Sequence, residues 1–444
     1  MMTYENIIKR GLELGIEEIE LYVVESAGMN MSLTDGLLDT NNFTNNFGMS
    51  IRGLYQGKMG YVYLESLDED NVEFALKSLI ANASKVTSTN KAFIYDGSGE
   101  YKEVEVEKTN YDEYPISYKL SKLQDLSKKV LDADEKIVKV GHCQYGENKS
   151  ITRIINSKGV NLSREFSYAS TMVGALASNG KETSIGYERD IQFDITKFDY
   201  DKLTKNSVDE ALSSLGAGSL ATGQYSAIFR YDVMTSILKA FSTVFSGQSA
   251  MKKLTLLTDK IDQQVFGGNI NIIDDPFTDH AIVKQPFDDE AVPCVTKNIV
   301  ENGVFKGFMH DLASANFFNT NPTGNGFKAG VSGTVSVSPT NLYLQPGEKS
   351  FDDLVGSVSK GILVTNVSGL HAGLNPISGA FNVQASGFEI ENGKIGRPVT
   401  LFVVSSNFYE LLNNIEEIGN DIEDKFIGVA APSVKVKNIM ISGK

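Results

Sequence analysis

The chain has 444 residues, enough for two or three domains that each bury a core. Its apolar fraction of 41% and charged fraction of 22% are those of an ordinary globular protein, and a formal net charge of −15 argues against direct binding to nucleic acid through phosphates. The longest apolar run, near Leu401–Val404, is far below the ~20 residues of a membrane span. The N-terminus lacks the apolar stretch of a signal peptide, and Cys143 and Cys294 do not make a disulfide framework, so the expected compartment is the cytoplasm.

The pattern predicts an α+β chain in three parts. The first, residues 1–85, opens on a helix capped by Thr3, with Ile7, Ile8 and Leu12 on one side and Gly15 as its stop. Strands follow at 19–24, 49–54 and 59–64, with turns at Asp35-Gly36 and Gln56-Gly57. Ser66 to Glu69 reads as a capping box before a helical face of Val72, Leu76, Leu79 and Ile80. Residues 86–110 read as a connector. The second part, 110–217, is another α+β unit. Its first helix starts at Pro115 and carries Leu120, Leu123, Leu126, Val130 and Leu131 as a stripe. Strands at 137–140, 151–156 and 167–177 turn at Lys158-Gly159 and Asn179-Gly180, and a helix from Ser207 to Leu215 ends at Gly216. The third part, 222–444, is β-rich. Asn302-Gly303 and Asn392-Gly393 are hairpin tips, because Asn-Gly favours the turn that matches strand twist. Helices are expected at 232–246, 351–359 and 407–419.

Few residues announce chemistry. His142, His280, His310 and His371 are far apart in sequence, so no two can seed a metal site on one helix. His142 and Cys143 are adjacent on a strand and point to opposite faces. Asp288, Asp289 and Glu290 suggest paired carboxylates, and a solvated acidic loop is the preferred reading. Asn321 to Gly326 is Gly-rich but lacks the Lys-Ser/Thr of a phosphate cradle, so it reads as a turn. No Gly-x-Ser-x-Gly elbow with matched His and Asp occurs.

Five stretches carry a resemblance: Gly361-Ile-Leu-Val-Thr365, Gly379-Ala-Phe-Asn382, Ala385-Ser-Gly-Phe388, Glu391-Asn-Gly393 and Ile418-Gly-Asn-Asp-Ile422. Together they resemble the TldD/PmbA family, once called modulators of DNA gyrase. The resemblance implies a barrel-like C-terminal domain. In the TldD branch a helical HExxxH motif and a cysteine near the C-terminus bind zinc. This chain has no HExxxH, and the resemblance sets Lys239, Ala240 and Val244 where the histidine, glutamate and second histidine fall. Ala431 stands in the region of the cysteine. A protonated Lys offers no lone pair, and without the imidazoles and the general base no water is activated. Cys294, His280 and His310 are the other three ligands the chain could offer, at a spacing that fits no known pattern. The resemblance therefore implies the PmbA/TldE-like branch, with no catalytic or metal residues and no cofactor in this chain. Zinc is expected in a TldD-like partner, in a cytoplasmic complex that cleaves peptides and unfolded segments. The alternatives are a homodimer that binds peptides or small ligands without hydrolysis, and a peptidase with an unrecognised site.

Overall fold

A computed structural model describes residues 2–87 and 92–443; part of the predicted connector, 88–91, lies outside them. The first helix, α1 (Tyr4–Glu13), is capped as expected: Thr3 Oγ1 accepts the Asn6 N–H at 3.3 Å. Ile7 is buried, but Leu12 is 43% exposed and does not share its face. Three strands follow, β1 (Glu18–Thr34), β2 (Leu37–Tyr55) and β3 (Lys58–Leu64). Both tips have positive φ at their two central residues, Asp35 and Gly36 at 52° and 75°, Gln56 and Gly57 at 50° and 70°. That is the hairpin geometry Gly and Asn relatives supply. Helix α2 (Glu69–Ala83) starts later than the predicted capping box: Asp68 holds the N-cap, and Ser66 binds the Asp68 carboxylate instead of the helix.

Helix α3 (Ile116–Leu131) follows Pro115, buries Leu123, Leu126 and Val130, and leaves Leu131 exposed. The strands β4 (Ile137–Asn156), β5 (Asn161–Ser178) and β6 (Thr183–Gln192) are longer than predicted; two expected strands fuse into β4, whose bulges absorb the break in pattern. Helix α4 (Tyr200–Ser213) begins at the Asp199 cap, well before Ser207. All six strands form one antiparallel sheet in the order β3-β2-β1-β4-β5-β6. The pairing of β1 with β4, from Glu20↔Asn156 to Ser32↔Gln144, joins the first two predicted units.

Side chains alternate across this sheet. Odd-numbered residues of β1, from Ile19 to Leu33, face the helices: α1 and α2 cover one half, α3 and α4 the other. Even-numbered Glu20 and Tyr22 face the opposite side, where the third part of the chain docks.

That part begins with β7 (Gly223–Phe229), α5 (Tyr231–Phe241) and α6 (Gly247–Met251). Strands β8 (Ile272–Asp274), β9 (Lys297–Glu301) and β10 (Val304–Phe305) precede α7 (Leu312–Phe318). Then come β11 (Gly326–Lys328), β12 (Val335–Val337), β13 (Leu342–Leu344), α8 (Phe351–Gly356), β14 (Lys360–Ser368) and α9 (Leu370–Gly373). Last are β15 (Ala380–Glu391), β16 (Lys394–Asn407), α10 (Phe408–Asn413), β17 (Ile415–Ile418), β18 (Val429–Ala430) and β19 (Val434–Ser442). Because β16 also pairs with β19, strands β16-β15-β14-β7-β19 close into a five-stranded barrel. Its core is aromatic: Phe241 stacks on Phe408 with centroids 4.7 Å apart, and Phe245 and Phe266 meet Phe408 edge-on. The helix predicted for 407–419 stops at Asn413, and the chain re-enters the sheet as β17. Asn302-Gly303 and Asn392-Gly393 are hairpin tips, with φ of 49° and 78°, and 51° and 74°.

Candidate functional site

The N-terminus of α5 is fixed by the C-terminal segment. Ser433 Oγ accepts the Tyr231 N–H at 2.9 Å and donates to Asp421 at 2.6 Å. One turn on, Thr235 Oγ1 accepts the Ala431 N–H at 2.9 Å. Lys239 lies four residues beyond Thr235, on the same helix face, with an exposed side chain. Ala240 is half-buried. The α-helix ends at Phe241, so Val244 falls in a 3-10 turn and packs, 1% exposed, into the barrel core. Lys239 and Val244 therefore face different surroundings. Neither they, Ala240 nor the buried Ala431 carries a donor for a metal ion, and zinc does not fit these positions. Among the described residues no group of three or more His, Cys, Asp or Glu is placed to hold a metal.

The other candidate ligands stay apart. His280 is exposed and meets Asp424 at 3.2 Å. His310 is buried against Ser314 Oγ at 3.1 Å, and burial holds its imidazole below the ordinary range. Cys294 is buried and donates to the Gly324 carbonyl at 3.0 Å. Cys143 is buried beneath α3, its thiol pushed up to about 12 by burial, while His142 points outward.

Beside α5 a cleft of about 560 Å³ opens between the first sheet and the barrel. Arg230, the α5 cap, anchors its floor. Its Nε and Nη2 reach both oxygens of Asp232 at 2.7 Å; Nη2 also reaches Glu210 at 2.8 Å and the Thr365 carbonyl at 3.0 Å. These carboxylates hold the guanidinium in its charged form despite burial. One wall is apolar, from Phe351, Leu363, Phe388 and Ile395; the other is polar, from Tyr187, Glu188 and Tyr231. Burial raises the Glu188 carboxyl above its usual range. Strand β6 is the edge of its sheet, and the Tyr187 N–H turns outward to Glu210 at 3.3 Å. A second hollow of about 270 Å³ shares Glu210, Thr365 and Asn366 with the cleft and continues along β6. An apolar wall with a few fixed polar groups is the usual make-up of a binding site. The cleft lining contains no His or Cys.

The acidic stretch predicted as a solvated loop is buried: Asp288, Asp289 and Glu290 are 0%, 3% and 5% exposed. Their partners come from strands of the first sheet. Arg52 of β2 holds Glu290 at 2.6 Å and Glu20 of β1 at 2.7 Å. Arg164 of β5 holds Asp289 at 2.5 Å, donates to the Phe287 carbonyl and lies 5.0 Å over the Phe287 ring. Asp288 instead accepts three backbone N–H groups, from Glu290 and Val292 at 2.9 Å and Gly326 at 2.8 Å. Burial and the neighbouring Glu290 push its carboxyl up, and those N–H groups pull the other way. The stretch is a latch between the sheet and the third part of the chain. Lys328 completes it, with Nζ 2.6 Å from Ser50 Oγ and 4.3 Å over the Tyr22 ring. A charge inside an apolar run, as at Glu20 and Arg52, was the signal available in the sequence.

Fold and site together define a class: an α+β chain whose closed barrel carries a helix packed on the C-terminal segment, beside a cleft with one apolar and one polar wall. Residues 222–443 match the PmbA/TldA metallopeptidase C-terminal domain, 19–85 match domain 1 and 110–215 the central domain. The chain belongs to the PmbA/TldD metallopeptidase family. It is 25% identical to a Haemophilus influenzae protein named as a metalloprotease PmbA homolog, over 96% of this chain and 92% of that one. A crystal structure from Thermotoga maritima, of a protein described as a modulator of a DNA gyrase, superposes with a TM-score of 0.90 at 28% identity, covering 99% and 100% of the two chains. The structure of TldE from Thermococcus kodakarensis has the same fold, with a TM-score of 0.90 at 24% identity and 99% coverage of both chains.

Proposed function

We propose that this chain is a PmbA/TldE-like, non-catalytic subunit of a cytoplasmic metallopeptidase complex. A TldD-like partner bearing HExxxH supplies the zinc, and this chain supplies walls of the peptide chamber. The observation that carries the reading is the helix α5: it lies against the C-terminal segment through Thr235 and Ala431, yet offers no metal donor at Lys239, Ala240, Val244 or Ala431. The cleft next to it retains a built interior in the Arg230, Glu210 and Asp232 cluster.

An extended peptide fits this cleft by adding to the edge of β6, where main-chain hydrogen bonds give affinity and side chains enter the apolar wall. Arg230 keeps Glu210 and Asp232 in place, and Glu210 in turn occupies the outward Tyr187 N–H until a peptide carbonyl competes for it. Bond cleavage belongs to the partner; this chain orients the segment and excludes water. The test is co-expression with a TldD-like chain of the same genome. A joint complex by mass, in which Arg230→Ala weakens peptide binding without dissolving the complex, supports the reading. A chain that never associates with such a partner contradicts it.

A further inference from the structure

The cleft beside α5 carries mostly one sign of charge. Among the described residues its lining holds four carboxylates, Glu188, Asp209, Glu210 and Asp232, against one cation, Arg230. Arg230 is spent on Glu210 and Asp232, and Asp209 meets Lys205 at 2.8 Å in an exposed pair. Glu188 is left over. Among the described residues no cation forms an ion pair with it, and Lys202 acts on it only from a distance. Building on the peptide reading of this cleft, we propose that it selects extended segments with a basic side chain next to a large apolar one, and that Glu188 is the counter-charge that makes the selection.

The fold sets Glu188 where a side chain of an added strand arrives. It lies on β6, the edge of its sheet, opposite Val173 of β5. Two residues earlier the same face is closed, because a Cβ at Gly186 would meet the Ser207 carbonyl of α4 at 2.2 Å. At Glu188 the helix gives way to the cleft, into which α4 presents Asn206, Asp209, Glu210 and Ser213 at helical spacing. The Asn206 amide holds the Glu188 carboxylate. Tyr231 of α5 completes the polar wall, its phenol raised by burial, Asp232 and Glu188 in turn.

Glu188 is half-buried. Burial raises its carboxyl, and Glu210 and Glu423 push it the same way. A carboxylate so placed gains more from an arriving ammonium or guanidinium than one in open water, because the cation offsets both burial and like charge. The second hollow, which continues along β6, adds Glu182 to the lining and no cation among the described residues. The whole path along this edge therefore favours positive charge.

Alternate side chains of a strand point to opposite faces. A segment added at β6 thus sends one residue toward Glu188 and its neighbour toward the apolar wall of Phe351, Leu363, Phe388 and Ile395. Lys and Arg suit this geometry twice over, since their aliphatic stems lie along apolar surface while the charged head reaches the carboxylate. Charges on a strand edge normally deter strand addition. Arg189, the cation next along β6, is engaged by Glu423 at 3.3 Å, so the guard on this edge is acidic. An acidic guard refuses acidic segments and admits basic ones, and in a chain of net charge −15 it discriminates against segments like the chain's own.

The test uses the full chain and three labelled, unstructured peptides of one length, identical except for Lys, Gln or Glu beside a central Leu. Fluorescence anisotropy should rank their affinities Lys over Gln over Glu. The Lys peptide should bind roughly fivefold tighter than the Gln peptide at low salt, and added salt should narrow the gap. Glu188→Gln should bring the Lys-to-Gln ratio close to one, and Glu188→Lys should rank Glu above Lys. Glu5→Gln, which removes the same charge from the exposed surface of α1, should keep the wild-type ratio. Equal affinity for the three peptides overturns the selection and leaves the peptide reading standing. A lysine preference that survives both Glu188 variants overturns the role of Glu188. Binding of none of the three overturns the selection together with the peptide reading.

Discussion

Replacing Arg52 with leucine tests the latch. Its side chain is 4% exposed and holds two carboxylates at 2.6 and 2.7 Å. At an effective dielectric of ~20 each contact is worth roughly 6 kcal/mol, and taking each ion out of water costs several kcal/mol in return. The net value of such a pair is small, but removing one partner strands the other charges. Arg52→Leu leaves Glu20 and Glu290 buried without their cation, so a loss of about 3–5 kcal/mol is expected. The pH dependence has a definite sign. Burial already raises the Glu290 carboxyl, and Arg52 is what pulls it down. Without Arg52 its folded value rises further above the unfolded one. The folded variant then binds more protons than the unfolded chain, and its stability falls as pH rises through the carboxyl range toward that value. The loss should therefore be larger at pH 8 than at pH 5. The chain contains no Trp, so urea unfolding is followed by circular dichroism at both pH values. Adding Glu20→Leu and Glu290→Leu removes the stranded charges and should recover most of the loss. A loss below ~1 kcal/mol, or an equal loss at the two pH values, would refute the latch.

Three further outcomes follow from the same structure. Gly303→Ala places a Cβ 2.1 Å from Gln264 Nε2 and 2.3 Å from the Phe266 carbonyl at a φ of 78°, whereas Gly36→Ala meets nothing within 4 Å at a φ of 75°. Thermal melts should show Gly36→Ala costing ~1 kcal/mol for its φ alone and Gly303→Ala clearly more. Burial lowers the Lys328 ammonium to about 8, so the wild type gains stability as pH rises from there toward the ordinary lysine value. Lys328→Met should thus be more stable than wild type by ~1–2 kcal/mol at pH 7, an advantage that unfolding curves at pH 10 show shrinking. Elemental analysis of the purified chain should find far less than one zinc per chain.

What the sequence made legible was local. The Asp35-Gly36 and Asn302-Gly303 tips follow from residues that accept positive φ, and the Thr3 cap from one hydroxyl within reach of Asn6. Element lengths were less legible, because β4 continues through its own break in pattern by pairing with β1 and β5 along its length. The helix expected at 407–419 ended early for the same reason: β17 is held by β19 rather than by local propensity. The burial of Asp288–Glu290 was hidden because Arg52 lies 238 residues from Glu290, and Arg164 lies 125 from Asp289. The Arg230 cluster was missed likewise, since Glu210 and the Thr365 carbonyl come from separate elements.

In the proposed function this chain shapes a peptide chamber whose chemistry belongs to another chain. The most direct test is hydrolysis of an unstructured peptide by the isolated chain, by a TldD-like HExxxH chain, and by the two together, each with and without a chelator. No cleavage is expected from the isolated chain, and chelator-sensitive cleavage is expected from the pair, reduced by Arg230→Ala in this subunit. Chelator-resistant cleavage by the isolated chain would contradict it.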